Sequence, residues 1–186
     1  MHGRRDVDGL LAALAPLDAI LDRHRADLAA DFTAYRNHCY RVATLCASQV
    51  SGGPDAIEQV AVAAALHDLG IWADRTFDYL EPSVRLARRH LLASGRSAWL
   101  PAVTAAILEH HRITRYRGEH AWLVEPFRRA DWMDVSLGLV PSGLSRELFR
   151  TALARWPREG FHRLLARLAW RHGRRHPTNP LPMLKL

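Results

Sequence analysis

Histidines and aspartates recur along the middle of the chain, and they are the residues best suited to chemistry. His67 and Asp68 are adjacent within the segment ALHDLGIW (65–72), where apolar residues surround the acid. A buried carboxylate needs a partner, and the usual partners are a metal ion or a paired base. Imidazole and carboxylate groups together form a donor set for borderline transition metals. The full series is His38, His67, Asp68, His90, His110, His111 and Asp131.

The elements that carry these residues are predicted to be helices. Apolar residues recur at three- and four-residue steps, and prolines and glycines mark several helix ends. Each helix can aim only one or two side chains at one point, so ligands on successive helices predict a metal centre inside an all-α bundle. The predicted helices are 7–29, 31–50, 55–67, 82–94, 101–111, 122–137, 144–156 and 161–172, followed by an extended tail, 176–186.

The size and polarity of the chain fit one globular domain. Its 186 residues suffice for a single core. We expect a ligand-bearing core over 31–137, and the C-terminal helices and tail over 144–186. No apolar run is long enough for a membrane span. Aspartates interrupt the apolar start, which argues against a signal peptide. Cys39 and Cys46 are too far apart on one helix for a disulfide, so we predict reduced core thiols and a cytoplasmic protein.

The net charge of +7 raises the question of nucleic acid. Lys185 is the only lysine among 26 basic residues, and the arginines are scattered rather than gathered in a stripe. This skew indicates a composition bias, so nucleic acid is not the expected partner. A small-molecule substrate is expected instead, and no membrane association is expected. The sequence leaves a homo-oligomer open.

The order H…HD…H…HH…D over residues 38–131 resembles the HD-domain superfamily of metal-dependent phosphohydrolases, in its binuclear subset. The resemblance implies an HD-domain helical bundle with two divalent transition-metal ions. Iron or manganese is expected, with zinc, cobalt or nickel as alternatives. It implies that His38, His67, Asp68 and Asp131 bind the first ion, with Asp68 bridging. His90 and His110 would bind the second ion, and His111 coordinates in only some members.

The resemblance implies hydrolysis of a phosphoester in a nucleotide or other small phosphorylated metabolite. A metal-bridging hydroxide attacks phosphorus in line, with Asp68 and His67 in the catalytic centre. Arginines near the mouth stabilise the transferred charge. Arg112 and Arg115, just after the histidine pair, are the first candidates, and Arg36 and Arg41 beside His38 are further ones.

Two alternatives use the same residues. The superfamily includes mixed-valent di-iron oxygenases that act on small hydroxylated or phosphonate substrates with the same ligands. A non-catalytic, nucleotide-binding HD module is the third hypothesis.

Many binuclear phosphohydrolases carry a lysine shortly after the HD pair, and Ile71 and Trp72 follow here instead. The aromatic and acidic segment 71–83 is expected to be either a lid over the site or a packed loop.

Overall fold

The computed structural model describes residues 14–52, 54–140 and 143–185, and in them the chain is helical. Within these ranges there is no strand, and one isolated bridge pairs Arg112 with Lys185. The all-α prediction is confirmed. The helices are α1 (Pro16–Arg23), α2 (Arg25–Leu28), α3 (Phe32–Ala47), α4 (Pro54–Leu66), α5 (Gly70–Ala73), α6 (Leu80–Ala93), α7 (Leu100–Glu109), α8 (Ala121–Val135), α9 (Arg146–Arg155) and α10 (Phe161–Arg175).

Helices α3 and α4 form the centre of the bundle. Helix α3 packs against α8, α4 and α9, while α7 packs against α6, α8 and α4. Every residue from Val60 to Leu66 is completely buried. A helical segment that is apolar on all sides belongs in a core, and the alanine-rich second half of α4 is such a segment. The interior shared by α3, α4, α7 and α8 is where side chains from distant parts of the sequence meet.

Several helix boundaries differ from the prediction. The predicted helix 7–29 is two helices in its described part, because the chain breaks at His24; residues 7–13 lie outside the described residues. The predicted helix 55–67 ends one residue earlier, at Leu66, and Gly70 begins the short helix α5 after a turn at 67–69.

Gly70 is needed for a close approach between two helices. A Cβ atom there would lie 2.5 Å from the Tyr79 carbonyl oxygen and 2.8 Å from the Ser83 nitrogen. The Gly70 N–H donates to Ser83 Oγ at 3.0 Å. A larger residue would therefore push the start of α6 away from the turn that holds His67 and Asp68.

The tail folds back onto the bundle instead of staying extended. It makes turns at 177–178 and 182–183. The Ile113 N–H donates to the Lys185 carbonyl at 2.8 Å, and Lys185 Nζ pairs with Glu109 at 3.0 Å. Met183 is buried. The tail therefore forms a wall beside the end of α7.

Two smaller predictions concern the thiols and the membrane. Cys39 and Cys46 are buried free cysteines, as predicted, and burial raises the pKa of both thiols. Within the described ranges no helix has both the length and the apolar composition that a bilayer crossing requires.

Candidate metal centre

Six of the seven predicted ligands come together in the core. His38 comes from α3, the His67–Asp68 pair from the turn after α4, the His110–His111 pair from the end of α7, and Asp131 from α8. Two overlapping groups have ligand atoms close enough to hold an ion. We call His38, His67 and Asp68 the inner half, and Asp68, His110 and His111 the outer half.

The inner half has the spacing of ligands on one ion. His38 Nε2 lies 3.1 Å from His67 Nε2, and His67 Nε2 lies 3.3 Å from Asp68 Oδ2. Bonds of about 2.0–2.1 Å to one ion separate its ligand atoms by about 2.9–3.4 Å. Two imidazole lone pairs this close repel each other unless a cation lies between them. A metal ion or a proton therefore belongs at this point.

The two carboxylates each face both halves. Asp68 Oδ2 approaches His67 Nε2 at 3.3 Å, while Asp68 Oδ1 approaches His110 Nε2 at 3.3 Å. Asp131 Oδ1 lies 3.5 Å from His38 Nε2, and Asp131 Oδ2 lies 3.6 Å from His111 Nδ1. This is the arrangement of carboxylates that connect two adjacent cation positions.

Buried polar atoms without partners converge on the same point. Asp68 Oδ1, His110 Nε2 and both carboxylate oxygens of Asp131 make no hydrogen bond within the described residues. Such atoms are rare in folded proteins, because each one loses its hydration without compensation. Imidazole nitrogen and carboxylate oxygen fit a divalent transition-metal ion, and coordination would satisfy these atoms together.

Three of the imidazoles are oriented by a hydrogen bond on the side away from the centre. His67 Nδ1–H donates to the Ala64 carbonyl at 2.9 Å, and His110 Nδ1–H donates to the Ile107 carbonyl at 2.7 Å. His38 Nδ1–H donates to Asp134 Oδ2 at 2.7 Å. Because Nδ1 carries the proton that is donated outward, Nε2 is the nitrogen left to coordinate an ion at the centre, as in metal sites.

Asp134 supports the inner half and was not predicted. Arg41, which is fully buried, donates to Asp134 Oδ1 at 2.6 Å and Oδ2 at 2.8 Å. Burial alone would raise the pKa of Asp134, but its bonds to His38 and Arg41 lower it well below the usual range. A signal existed in the sequence: Asp134 lies one helical turn after Asp131, and Arg41 lies one turn after His38.

The site holds strong opposing charges when no cation is bound. Burial favours the neutral form of His67, but the Asp68 carboxylate outweighs it and raises the pKa of His67 to about 9. Burial raises the pKa of Asp131. Burial and the neighbouring His110 lower the pKa of His111 well below its usual value. Without a metal ion, protons on groups such as His67 therefore neutralise part of the charge of the two carboxylates.

His90 is the predicted ligand that the structure does not bring to the centre. Its ring is half-buried on α6, where burial and the nearby Arg23 and Arg96 lower its pKa. The face of α6 that is buried in the core carries Leu86, Ala87 and Leu91, so His90 lies at the edge of that face. A second ion would therefore rely on the outer half rather than on His90.

A small cavity opens at the outer half. It has a volume of about 250 Å³ and reaches Asp68 and His111. Tyr79 and Phe77, from the segment 71–83, form part of its wall, so this segment does lie against the site. The Tyr79 hydroxyl shares a hydrogen bond of 2.6 Å with His111 Nε2. The other walls are Trp132, Val135, Leu165, Ala166, Ala169, Leu181, Met183 and Leu184.

The predicted arginines lie outside this cavity. Arg112 Nη1 pairs with Glu109 at 3.1 Å, and Arg115 is exposed. Arg36 pairs with Asp18 at 2.7 Å. Arg41 is engaged by Asp134. No described residue that lines the cavity is an arginine or a lysine.

Comparisons with protein-family models, with curated proteins and with solved structures found no match to this chain.

Proposed function

We propose that the chain is a metal-dependent phosphohydrolase of the HD type, with two divalent transition-metal ions at the His/Asp cluster. The observation that carries this proposal is the pair of carboxylates, Asp68 and Asp131, each with one oxygen toward the inner half and one toward the outer half. Bound ions would supply an acidified water and polarise a phosphoryl oxygen. A phosphoester of a small molecule is the proposed substrate class.

The side chains around the centre have separate roles in binding the ions and in contacting the substrate. His38, His67, His110 and the two carboxylates hold and orient the centre. If His111 binds through Nδ1, its ring proton resides on Nε2 and is donated to the Tyr79 oxygen. The Tyr79 O–H is then free to donate a hydrogen bond to a substrate oxygen in the cavity. Burial and the negative Asp68 raise the pKa of Tyr79, so its hydroxyl keeps its proton at neutral pH.

The cavity restricts the substrate. Its walls are apolar and carry no positive side chain among the described residues, so the metal ions must balance the phosphoryl charge. Phe77, Trp132 and the tail residues Leu181, Met183 and Leu184 form much of the apolar wall. An ester with an apolar or aromatic body fits these walls better than a multiply charged one.

Turnover of aryl phosphates tests the proposal. Protein loaded with manganese should release phosphate from p-nitrophenyl phosphate without oxygen, and Tyr79→Phe should slow this release. Chelation should abolish it, and added metal should restore it. Absence of phosphoester turnover with manganese, iron, zinc, cobalt and nickel alike would contradict the proposal.

A di-iron oxygenase is the second candidate, and the apolar cavity favours it. A mostly apolar cavity without lysine or arginine in its described lining suits a neutral substrate and molecular oxygen. This candidate predicts a mixed-valent iron signal in electron paramagnetic resonance that changes when a substrate is added. Oxygen-independent phosphoester turnover with manganese would eliminate it.

A further inference from the structure

A second and larger cavity, of about 500 Å³, is lined by positive side chains. Arg75 reaches it from the loop after α5, and Arg171 and Arg175 reach it from the last turns of α10. His172 and His176 also line it. We call this cavity the cationic cleft. It shares one wall residue, Phe77, with the cavity at the metal centre.

The arginines of the cationic cleft have no acidic partner within the described residues, although two aspartates line the same cleft. Asp27 pairs with His24 at 2.9 Å. Asp31 accepts a hydrogen bond from Trp72 Nε1 at 3.0 Å. Three arginines against two aspartates leave the cleft with an excess of positive charge, which a bound anion would offset.

The origin of these charges in two separate elements argues against a purely local role. Cations in the last turn of a helix interact favourably with the helix dipole, which accounts for Arg175 but not for Arg171, one residue before that turn. It does not account for Arg75, which belongs to a loop. Arg75 has φ +52°, a left-handed conformation that residues other than glycine seldom adopt. The loop bends at the residue that faces the charged end of α10.

The other walls of the cationic cleft are aromatic and aliphatic. Trp72 is half-buried, and its ring is held 4.7 Å from that of Tyr35. Phe77 packs 5.5 Å from the His172 ring. Leu164 and Leu168 complete the apolar side. Guanidinium groups match the oxygen pairs of phosphate, and fixed aromatic rings offer a surface to a flat ligand.

We propose that the cationic cleft binds a phosphorylated small molecule that carries a flat ring, such as a nucleoside diphosphate. The phosphates contact Arg75, Arg171 and Arg175, and the ring packs against Trp72 and Phe77. This binding site is separate from the metal centre and does not depend on the reaction proposed there. A concave cavity of this size suits a small molecule, whereas a long nucleic acid would need an extended basic surface.

Isothermal titration of the full-length, metal-loaded protein with ADP and with pyrophosphate tests the cleft. The test variants are Arg171→Gln/Arg175→Gln and, on a different element, Arg75→Gln; all three positions are exposed, so the fold should tolerate the changes. Arg88→Gln/Arg89→Gln, on the exposed face of α6, is the control with the same loss of charge. Any heat from the metal centre is common to all four proteins.

The double variant in the cleft removes two charged hydrogen-bond donors, so it should lose affinity for ADP by about tenfold or more, and tenfold corresponds to about 1.4 kcal/mol. The control variant should bind within about twofold of the unmodified protein, and ADP should bind more tightly than pyrophosphate. The proposal would be overturned if the cleft and control variants lost affinity equally, or if neither lost any. It would also be overturned if the unmodified protein did not bind ADP, or if it bound ADP and pyrophosphate equally.

Discussion

The inner and outer halves of the candidate metal centre consist of similar donor groups but differ in their surroundings. In the inner half, His38 is fixed by Asp134, and Asp134 is fixed by Arg41, all of them buried. In the outer half, His111 has a side chain that is 13% exposed, and its Nε2 shares a hydrogen bond with the Tyr79 hydroxyl. The inner half is thus enclosed by charges, and the outer half borders a cavity.

This difference indicates a division of roles. A ligand held by a buried ion pair cannot move without exposing an uncompensated charge, so the inner half is rigid. A ligand at a cavity can be reached by substrate. We therefore expect the inner half to hold its ion for stability, and the outer half to meet the substrate.

Removing the shared ligand should have the largest effect. Asp68→Ala takes one oxygen from each half, so the metal content should fall from about two ions per chain to nearly none, and turnover should disappear. Metal analysis by mass spectrometry checks this. Asp78→Ala, which changes an exposed aspartate of the same region, should leave the content unchanged. Full retention of metal by Asp68→Ala would contradict the centre itself.

The buried ion pair that supports the inner half should contribute strongly to the free energy of unfolding. Arg41→Met leaves Asp134 buried beside His38 without its counter-charge, and we expect a loss of about 3–5 kcal/mol in the free energy of unfolding. The matched control is Arg36→Met, which breaks a partly exposed pair with Asp18 and should cost about 1 kcal/mol or less. Urea unfolding measures both. Similar losses for the two variants would remove the distinction between the halves.

Truncation of the outer half should affect one ion only. His111→Ala should keep about one ion per chain, while turnover falls by about 100-fold or more. The melting temperature should change less than in Arg41→Met, because His111 has no buried charge partner on its outer side. Loss of both ions together would show that the halves do not act separately.

Metal binding should release a proton below pH 9. Without metal, the pKa of His67 is raised to about 9, so its ring is protonated at neutral pH and must lose that proton to coordinate. The apparent affinity should therefore rise by about tenfold per pH unit up to about pH 9. Titration calorimetry at pH 7.5 in buffers of different ionisation enthalpy detects the released proton. Equal enthalpies in all buffers would argue against this assignment.

The smallest effect should come from His90. His90→Ala should change neither metal content nor turnover, and its unfolding free energy should stay within about 0.5 kcal/mol. The same metal analysis applies. A loss of one ion would restore His90 as a ligand and contradict the packing of α6.

The cluster was largely predictable because buried histidine and aspartate side chains need a partner for their polar atoms. An apolar helix that ends in His67–Asp68 must give the acid a partner, and four histidines on successive helices supply one. Asp134 was missed because an aspartate among arginines, in RRADWMD, also fits a surface ion pair. Only the burial of α8 against α3 distinguishes these two situations.

The sequence by itself determined the helical class and the kind of donor atoms, because periodicity and residue type are local properties. Tertiary structure decided which donors meet. His90 lies beside Arg23 and Arg96 instead of at the cluster, and Arg112 pairs with Glu109. The cationic cleft, formed where the loop at Arg75 meets the end of α10, also exists only after folding. Distances between residues remote in sequence depend on how helices pack, and no local pattern contains that information.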